Sequence, residues 1–551
     1  MYRGRKSIHY LSYKLIKRCE SMKNDAFAVK KPVSFDKFKS KMETNLEEAL
    51  DIIGAGKYQI VHCALMLATL TAALLEMIGN AFILPAAVCD LQIPDELRGI
   101  LTSIPNIGVI LTAPFWGRAA DSLGRKPVLL VSLAVAGVIA FVAAFMPNLV
   151  TFALCKFFTS LFLSCPSSLG YAYAGELLPR RRRDIAVLAC NGLLMISSVF
   201  SPLLAWGVLS ADWRYQFGSI TLRPWRLLTM VYAIPLIMTA LWMTQAQESP
   251  KYLMTKGKSE EALAVLRHIY ASNTGREPDS FCVTSLRQSA EESGRVLEDG
   301  SSCELSPKGN VDSPLALLRP PHLKWFALTS FLMFGLFSLL NGLFLFAPAT
   351  INKVMSNVST DAEGTICILM NEVENATNTT ACVDTISRET FLVMVATTAV
   401  YGATVMMVSL CPVAKKTMLI VMYVVVGICC LLSGLLTNRM VAGITMSALQ
   451  LTALGIGPLT AYAVQLFPTS LRGTAVGAVL MFGRLGSVVG ANAAGVLLAA
   501  ACQTTFYGFA FLLFLCATCS LLLPKDQTQS LHMVTSSSTS TRRSQDDTDK
   551  T

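Results

Sequence analysis

The sequence predicts an all-α membrane protein with twelve transmembrane helices in two pseudo-symmetric six-helix halves. Three observations carry that prediction. Charged residues fill only 15% of the 551 positions and apolar residues 53%, whereas a soluble domain carries roughly 25% charge. Twelve apolar runs approach the length of about 20 residues that a helix needs to cross the hydrocarbon core. Basic residues gather in the loops between alternate runs, as positive-inside topology expects. That distribution accounts for the net charge of +10 and argues against nucleic-acid binding.

In chain order, the runs fall at 60–85, 99–117, 127–146, 149–173, 185–209, 225–244, 324–349, 390–411, 417–436, 440–463, 474–499 and 505–523. Pro105, Pro166, Pro202, Pro235, Gly455, Gly457 and Pro458 lie inside them, tolerable where neighbouring helices re-satisfy the backbone. Residues 1–57 form an N-terminal tail with no uninterrupted apolar core, so the first span is expected to act as its own insertion signal. Residues 58–244 hold the first six helices and 323–523 the second six. Between them, 245–322 is a linker whose first part, KSEEALAVLRHIY, is patterned as an amphipathic helix. Its middle, rich in Ser, Glu and Gly, has the composition of a disordered segment. Residues 524–551 form a solvated tail.

Topology follows from the positive charges. Arg118, Arg125 and Lys126, then Arg180 to Arg183, then Lys415 and Lys416, then Arg472 occupy loops on one side, together with the basic N-terminal tail. Both termini are therefore expected in the cytosol. Arg214 and Arg223, on the other side, are exceptions. The loop at 350–389 then faces outward and carries three N-glycosylation sequons, at Asn357, Asn375 and Asn378. Cys367 and Cys382 share that oxidising side, where a disulfide between them is expected, with two free thiols as the alternative. The other cysteines show no metal-ligand spacing, so no metal and no cofactor are expected. GKS at 257–259 does not make a phosphate-binding loop, because Tyr252 stands where that loop requires glycine.

Short motifs then relate the halves. ELLPRRRR (Glu176 to Arg183) closes span 4 and QLFPTSLR (Gln465 to Arg472) closes span 10. Each has a polar residue, a proline three later and an arginine four after that. GRAADSLGRKP, between spans 2 and 3, places Gly117, Asp121, Gly124, Arg125 and Lys126 in a tight turn whose carboxylate can accept charge-assisted bonds from an arginine or a helix N-terminus.

These motifs resemble those of major facilitator transporters, whose halves are duplicated. Ser122 departs from the basic residue usual in that loop, and the second-half counterpart, CPVAKK (411–416), keeps only its lysines. QESPKYLMTKGKSEEALAVL resembles the segment after span 6 in sugar and organic-ion porters, with Gln247 and Lys251 replacing its outer Pro and Arg. LEEALDIIGAGKYQ and DWRYQFGSITLRPWRLLTMVYAIP are similar to segments of synaptic vesicle glycoprotein 2 and its relatives. The resemblance covers roughly residues 46–523. It implies the major facilitator fold and solute transport by alternating access. Ala73, Ile456 and Thr460 replace charged or aromatic residues of the vesicle glycoproteins, so their ligand preference does not transfer.

The candidate pathway residues are the polar groups inside spans. Glu76, in TAALLEMIGNAFILP, lies roughly 15 Å from the outer end of span 1 and Lys156 roughly 12 Å from that of span 4, at 1.5 Å per residue. A charge at bilayer depth costs about 2.5–3.5 kcal/mol on insertion scales, so Glu76 either handles substrate or protons or pairs structurally with Lys156. Asn80 shares its helix face. Asn341, Gln450 and Arg484 are the second-half candidates, and interhelical hydrogen bonding is the ordinary alternative for the amides. One deep acid against two bases leans towards an anionic or zwitterionic solute. The expected protein is a monomeric secondary or facilitative transporter of a small polar or organic solute, with proton coupling as an option. It would work in the plasma membrane or a secretory or synaptic-type vesicle. A non-transporting receptor or scaffold that keeps the fold is the competing expectation. An intramembrane enzyme is not expected, since the spans carry no nucleophile–base pair.

Overall fold

In the computed structural model the described residues are 42–211, 213–217, 220–287, 317–320, 322–355, 365–368, 385–410, 414–467 and 469–524. Among them are twelve helices long and apolar enough to cross a membrane. They are span 1 (Lys57–Ala87), span 2 (Glu96–Leu123), span 3 (Arg125–Ala143), span 4 (Leu149–Glu176), span 5 (Ile185–Leu209) and span 6 (Pro224–Met243). Span 7 (His322–Met355), span 8 (Arg388–Val408), span 9 (Lys415–Leu435), span 10 (Arg439–Leu466), span 11 (Thr474–Leu498) and span 12 (Cys502–Ser520) complete the set. Helices satisfy the backbone internally, as hydrocarbon demands. Several outrun their apolar cores, because helical hydrogen bonding continues into the polar loops, as at Lys57 and Leu123.

The chain separates into two compact units. The first contains the described residues of Met1–Leu91, Ile107–Leu305 and Thr398–Pro412. The second contains those of Gln92–Asn106, Ser306–Thr397 and Val413–Thr551.

In the first unit the end of the N-terminal tail is folded. Strand β1 (Met42–Asn45) leads into a helix, Leu46–Ile53, which Asn45 caps by accepting the Glu48 N–H. A hairpin of β2 (Tyr215–Phe217) and β3 (Ile220–Leu222) precedes span 6. The amphipathic linker stretch forms a helix, Ser259–Thr274, followed by β4 (Val283–Arg287), which pairs in parallel with β1. Leu46 and Leu50 bury with Leu263, Leu266, Ile269 and Val283 in one apolar core that continues to Leu129 and Leu133 of span 3. At the opposite end of the unit, Asp90 accepts from Trp225 Nε1 and Arg226 Nη2, each at 3.1 Å, and pairs with Arg223 at 3.4 Å. Arg226 also donates to the carbonyls of Ala144 and Met146. This acid explains how the charge of Arg223 is tolerated on the side poor in basic residues.

In the second unit, spans 7 and 11 lie backbone to backbone. A Cβ at Gly486 or Gly490 would fall 2.3 Å or 2.2 Å from the carbonyl oxygens of Phe334 or Ser338, so only glycine permits the approach. Span 7 loses α-geometry there, with a π-turn at Leu339–Leu343 and a 3₁₀ turn at Phe344–Phe346. Span 10 contains a 3₁₀ stretch, Ala448–Gly455. The disulfide expectation is corrected. Cys367 bonds to Cys502, with the two Cα atoms 5.5 Å apart, because the short turn at 366–368 meets the first residue of span 12. A sulfur so bonded cannot also join Cys382, which lies outside the described residues. So do Asn357, Asn375 and Asn378, and the Ser-, Glu- and Gly-rich part of the linker.

Candidate functional site

Span 4 starts at a side-chain cap, Asn148 accepting the Thr151 N–H at 2.9 Å. Two turns on, Lys156 points inward. Its ammonium lies 2.5 Å from Glu76 Oε1 and 5.7 Å from the centre of the Phe152 ring. Glu76 is 2% exposed and Lys156 4%. Such a pair offsets its desolvation best when its remaining lone pairs are satisfied, and here one carboxylate oxygen is not. Glu76 Oε2 is buried without a hydrogen-bond partner, and so is Asn80 Oδ1, one turn along. Tyr232 of span 6 covers this region. Its ring packs where a Cβ on Gly79 would sit, 2.4 Å from Cδ2, and its hydroxyl donates to the Ser201 carbonyl at 2.7 Å. Two buried acceptors on one helix face can be served by a proton, a water or a solute hydroxyl.

The second unit holds the other deep charge. Arg484 donates to Asn106 Oδ1 at 3.1 Å, and its guanidinium lies 5.4 Å from the Phe337 ring centre. Among the described residues it forms no ion pair. A guanidinium offers five donors and keeps its charge, so this one remains able to bind an anion. Asn341, on the π-turn, donates to Ser487 Oγ at 2.9 Å, an interhelical bond of the ordinary kind. Gln450 is buried on the 3₁₀ stretch of span 10.

The motif residues meet at the end of the first unit that carries the basic loops. Gly124 has φ +109°, and a Cβ there would lie 2.4 Å from Glu248 Oε2. Glu248 is the acid of QESP. It accepts the N–H groups of Arg125 at 3.0 Å and Lys126 at 3.3 Å, anchoring the start of span 3. Asp121, well exposed, pairs instead with Arg125 Nη2 at 3.0 Å. Arg125 reaches on to Glu176 at 3.3 Å. Arg183 donates to the Gly175 carbonyl at 2.9 Å and to Glu47 at 3.0 Å. Gly117 has open space around it. The side chain of Arg472 lies outside the described residues. Where the related motif has proline, Gln247 supplies an N–H that donates to the Tyr58 hydroxyl at 3.1 Å, and its carbonyl accepts from the Tyr173 hydroxyl. In the second unit, Lys416 of the shortened loop closes the end of span 12, donating to the Leu521 carbonyl at 2.7 Å.

Asn106, Glu47 and Tyr232 were not singled out from the sequence. Asn106 interrupts an apolar run as Glu76 does and was findable by the same signal. Glu47 and Tyr232 carry no local signal, since their roles arise from packing.

The profile of the Major Facilitator Superfamily matches residues 65–408. The chain is 29% identical to synaptic vesicle glycoprotein 2C of Rattus norvegicus over 42% of its own length and 33% of the relative's. It is 28% identical to synaptic vesicle glycoprotein 2A of the same species, over 46% and 34%. It thus spans about a third of the curated relatives it matches. Among solved structures, the xylose transporter XylE from E. coli, partially occluded and inward open, superposes with a TM-score of 0.59 at 14% identity, covering 85% of this chain and 99% of that one. XylE is also described as a proton:xylose symporter. At that identity the likeness concerns the fold.

Proposed function

The chain belongs to the Major Facilitator Superfamily, and on that premise we propose that it is a secondary transporter moving a small organic anion or zwitterion by alternating access. One observation carries the substrate class: Arg484 keeps its charge inside a span, with an amide and an aromatic ring as neighbours and no carboxylate among the described residues. A carboxylate ligand supplies the two-oxygen partner that a guanidinium prefers. Glu76 serves as the coupling acid, its free Oε2 able to take up and release a proton while Lys156 holds Oε1. The proton-driven neighbour XylE makes such coupling a reasonable expectation for this fold.

In this reading the basic loops and both termini face the cytosol, and the 350–389 loop faces outward with its sequons glycosylated. The likeness to vesicle glycoproteins favours a secretory or synaptic-type vesicle, with the plasma membrane as the other location. The reduced motif of the 411–416 loop does not by itself favour the receptor or scaffold reading, because Lys416 there has a structural task.

Thermal unfolding of the purified protein with lactate, glutamate, xylose or tetraethylammonium tests the substrate class. Lactate or glutamate should raise the midpoint of the wild type and leave Arg484→Gln unmoved. Stabilisation by xylose or tetraethylammonium alone, or equal stabilisation of the variant by the anions, would overturn it.

A further inference from the structure

Span 1 begins without a cap of its own. Gly56 precedes it and has no side chain to accept the N–H groups of the first turn. The acceptor comes from a residue 215 positions away. Asn273, in the last turn of the linker helix Ser259–Thr274, accepts the Tyr58 N–H on Oδ1 at 2.9 Å. Its Nδ2 donates to Gln59 Oε1 at 2.9 Å, and the same oxygen accepts the Gly56 N–H at 2.9 Å. Gln59 Nε2 returns to the Gly54 carbonyl at 3.0 Å. A Cβ at position 56 would lie 2.4 Å from Asn273 Cγ, so the approach needs glycine. His268 of the same helix meets the Tyr58 ring edge-on, with centroids 5.8 Å apart.

We propose that Asn273 is a positioning residue that caps span 1 from the linker, so that docking of the linker helix holds this end of the span that carries Glu76. When the linker helix lifts, the first turn loses its acceptor and frays, which gives the linker control over one end of a pathway helix. This goes beyond the transport reading and is tested without a solute.

Hydrogen–deuterium exchange of the full chain, read on peptides over 56–66, reports on that turn. Asn273→Ala should raise the exchange rate there roughly two- to thirtyfold, the range for a lost helix cap, with exchange in span 6 unchanged. Asn273→Asp keeps the acceptor for Tyr58 but loses the donor to Gln59 Oε1, so it should raise the rate less than Asn273→Ala does. Gly56→Ala displaces Asn273 sterically and should reproduce the increase if Asn273→Ala expresses poorly. Wild-type rates in both alanine variants would overturn the proposal. So would an increase spread evenly over spans 1 to 6, since Asn273 would then only support the fold.

Discussion

Glu76 and Lys156 show how a costly pair of charges becomes tolerable. Each alone would be a desolvated charge inside a helix bundle; together they share one short contact, with Glu76 Oε2 left over. Removing one partner from such a pair costs about 3–5 kcal/mol, whereas replacing both with apolar or neutral groups is often nearly neutral. Lys156→Met should therefore lower the thermal stability of the purified protein sharply, and Glu76→Gln with Lys156→Met should restore most of it. If the single and double variants unfold together, the two side chains do not act as a pair. The candidacy of both residues was legible because charge inside an apolar run is rare. The orphaned Oε2 and the Asn106 partner of Arg484 were not legible, since they depend on which helix faces approach.

At the scale of elements, the turn before span 3 is built around Gly124. Its φ of +109° disfavours any side chain, and a Cβ there would push Glu248 off the N–H groups of Arg125 and Lys126. Gly124→Ala should destabilise the protein by roughly 1–3 kcal/mol and loosen the start of span 3, read as faster amide exchange at Arg125 and Lys126. Unchanged exchange would mean that Glu248 does not anchor the turn. The spans were legible because about 20 apolar residues in sequence have few other uses. The π-turn of span 7 and the ordered segment 42–53 were not, because glycine packing and strand pairing with residues 283–287 impose them. The disulfide was misjudged for a related reason: Cys502 opens an apolar span, and closeness to Cys367 arises only in the fold. Cys367→Ser should free the Cys502 thiol for alkylation; release of Cys382 instead would restore the pairing expected from the sequence.

For the whole molecule, sidedness is tested by N-glycosidase treatment of protein expressed in cells. A mobility shift that disappears when Asn357, Asn375 and Asn378 are all changed to Gln is expected; glycan traced to 245–322 would invert the topology. Coupling of solute movement to Glu76 is read by uptake into proteoliposomes. The labelled solute is the anion or zwitterion that most stabilises the protein. An inward proton gradient should drive the wild type to accumulate it above equilibrium. Glu76→Gln, whose amide oxygen can still accept from Lys156, should, in the fraction that folds, exchange the solute between the two sides and accumulate none. Accumulation that ignores the gradient, or full gradient-driven uptake by the Glu76→Gln, Lys156→Met double variant, would leave Glu76 as no more than half of a structural pair.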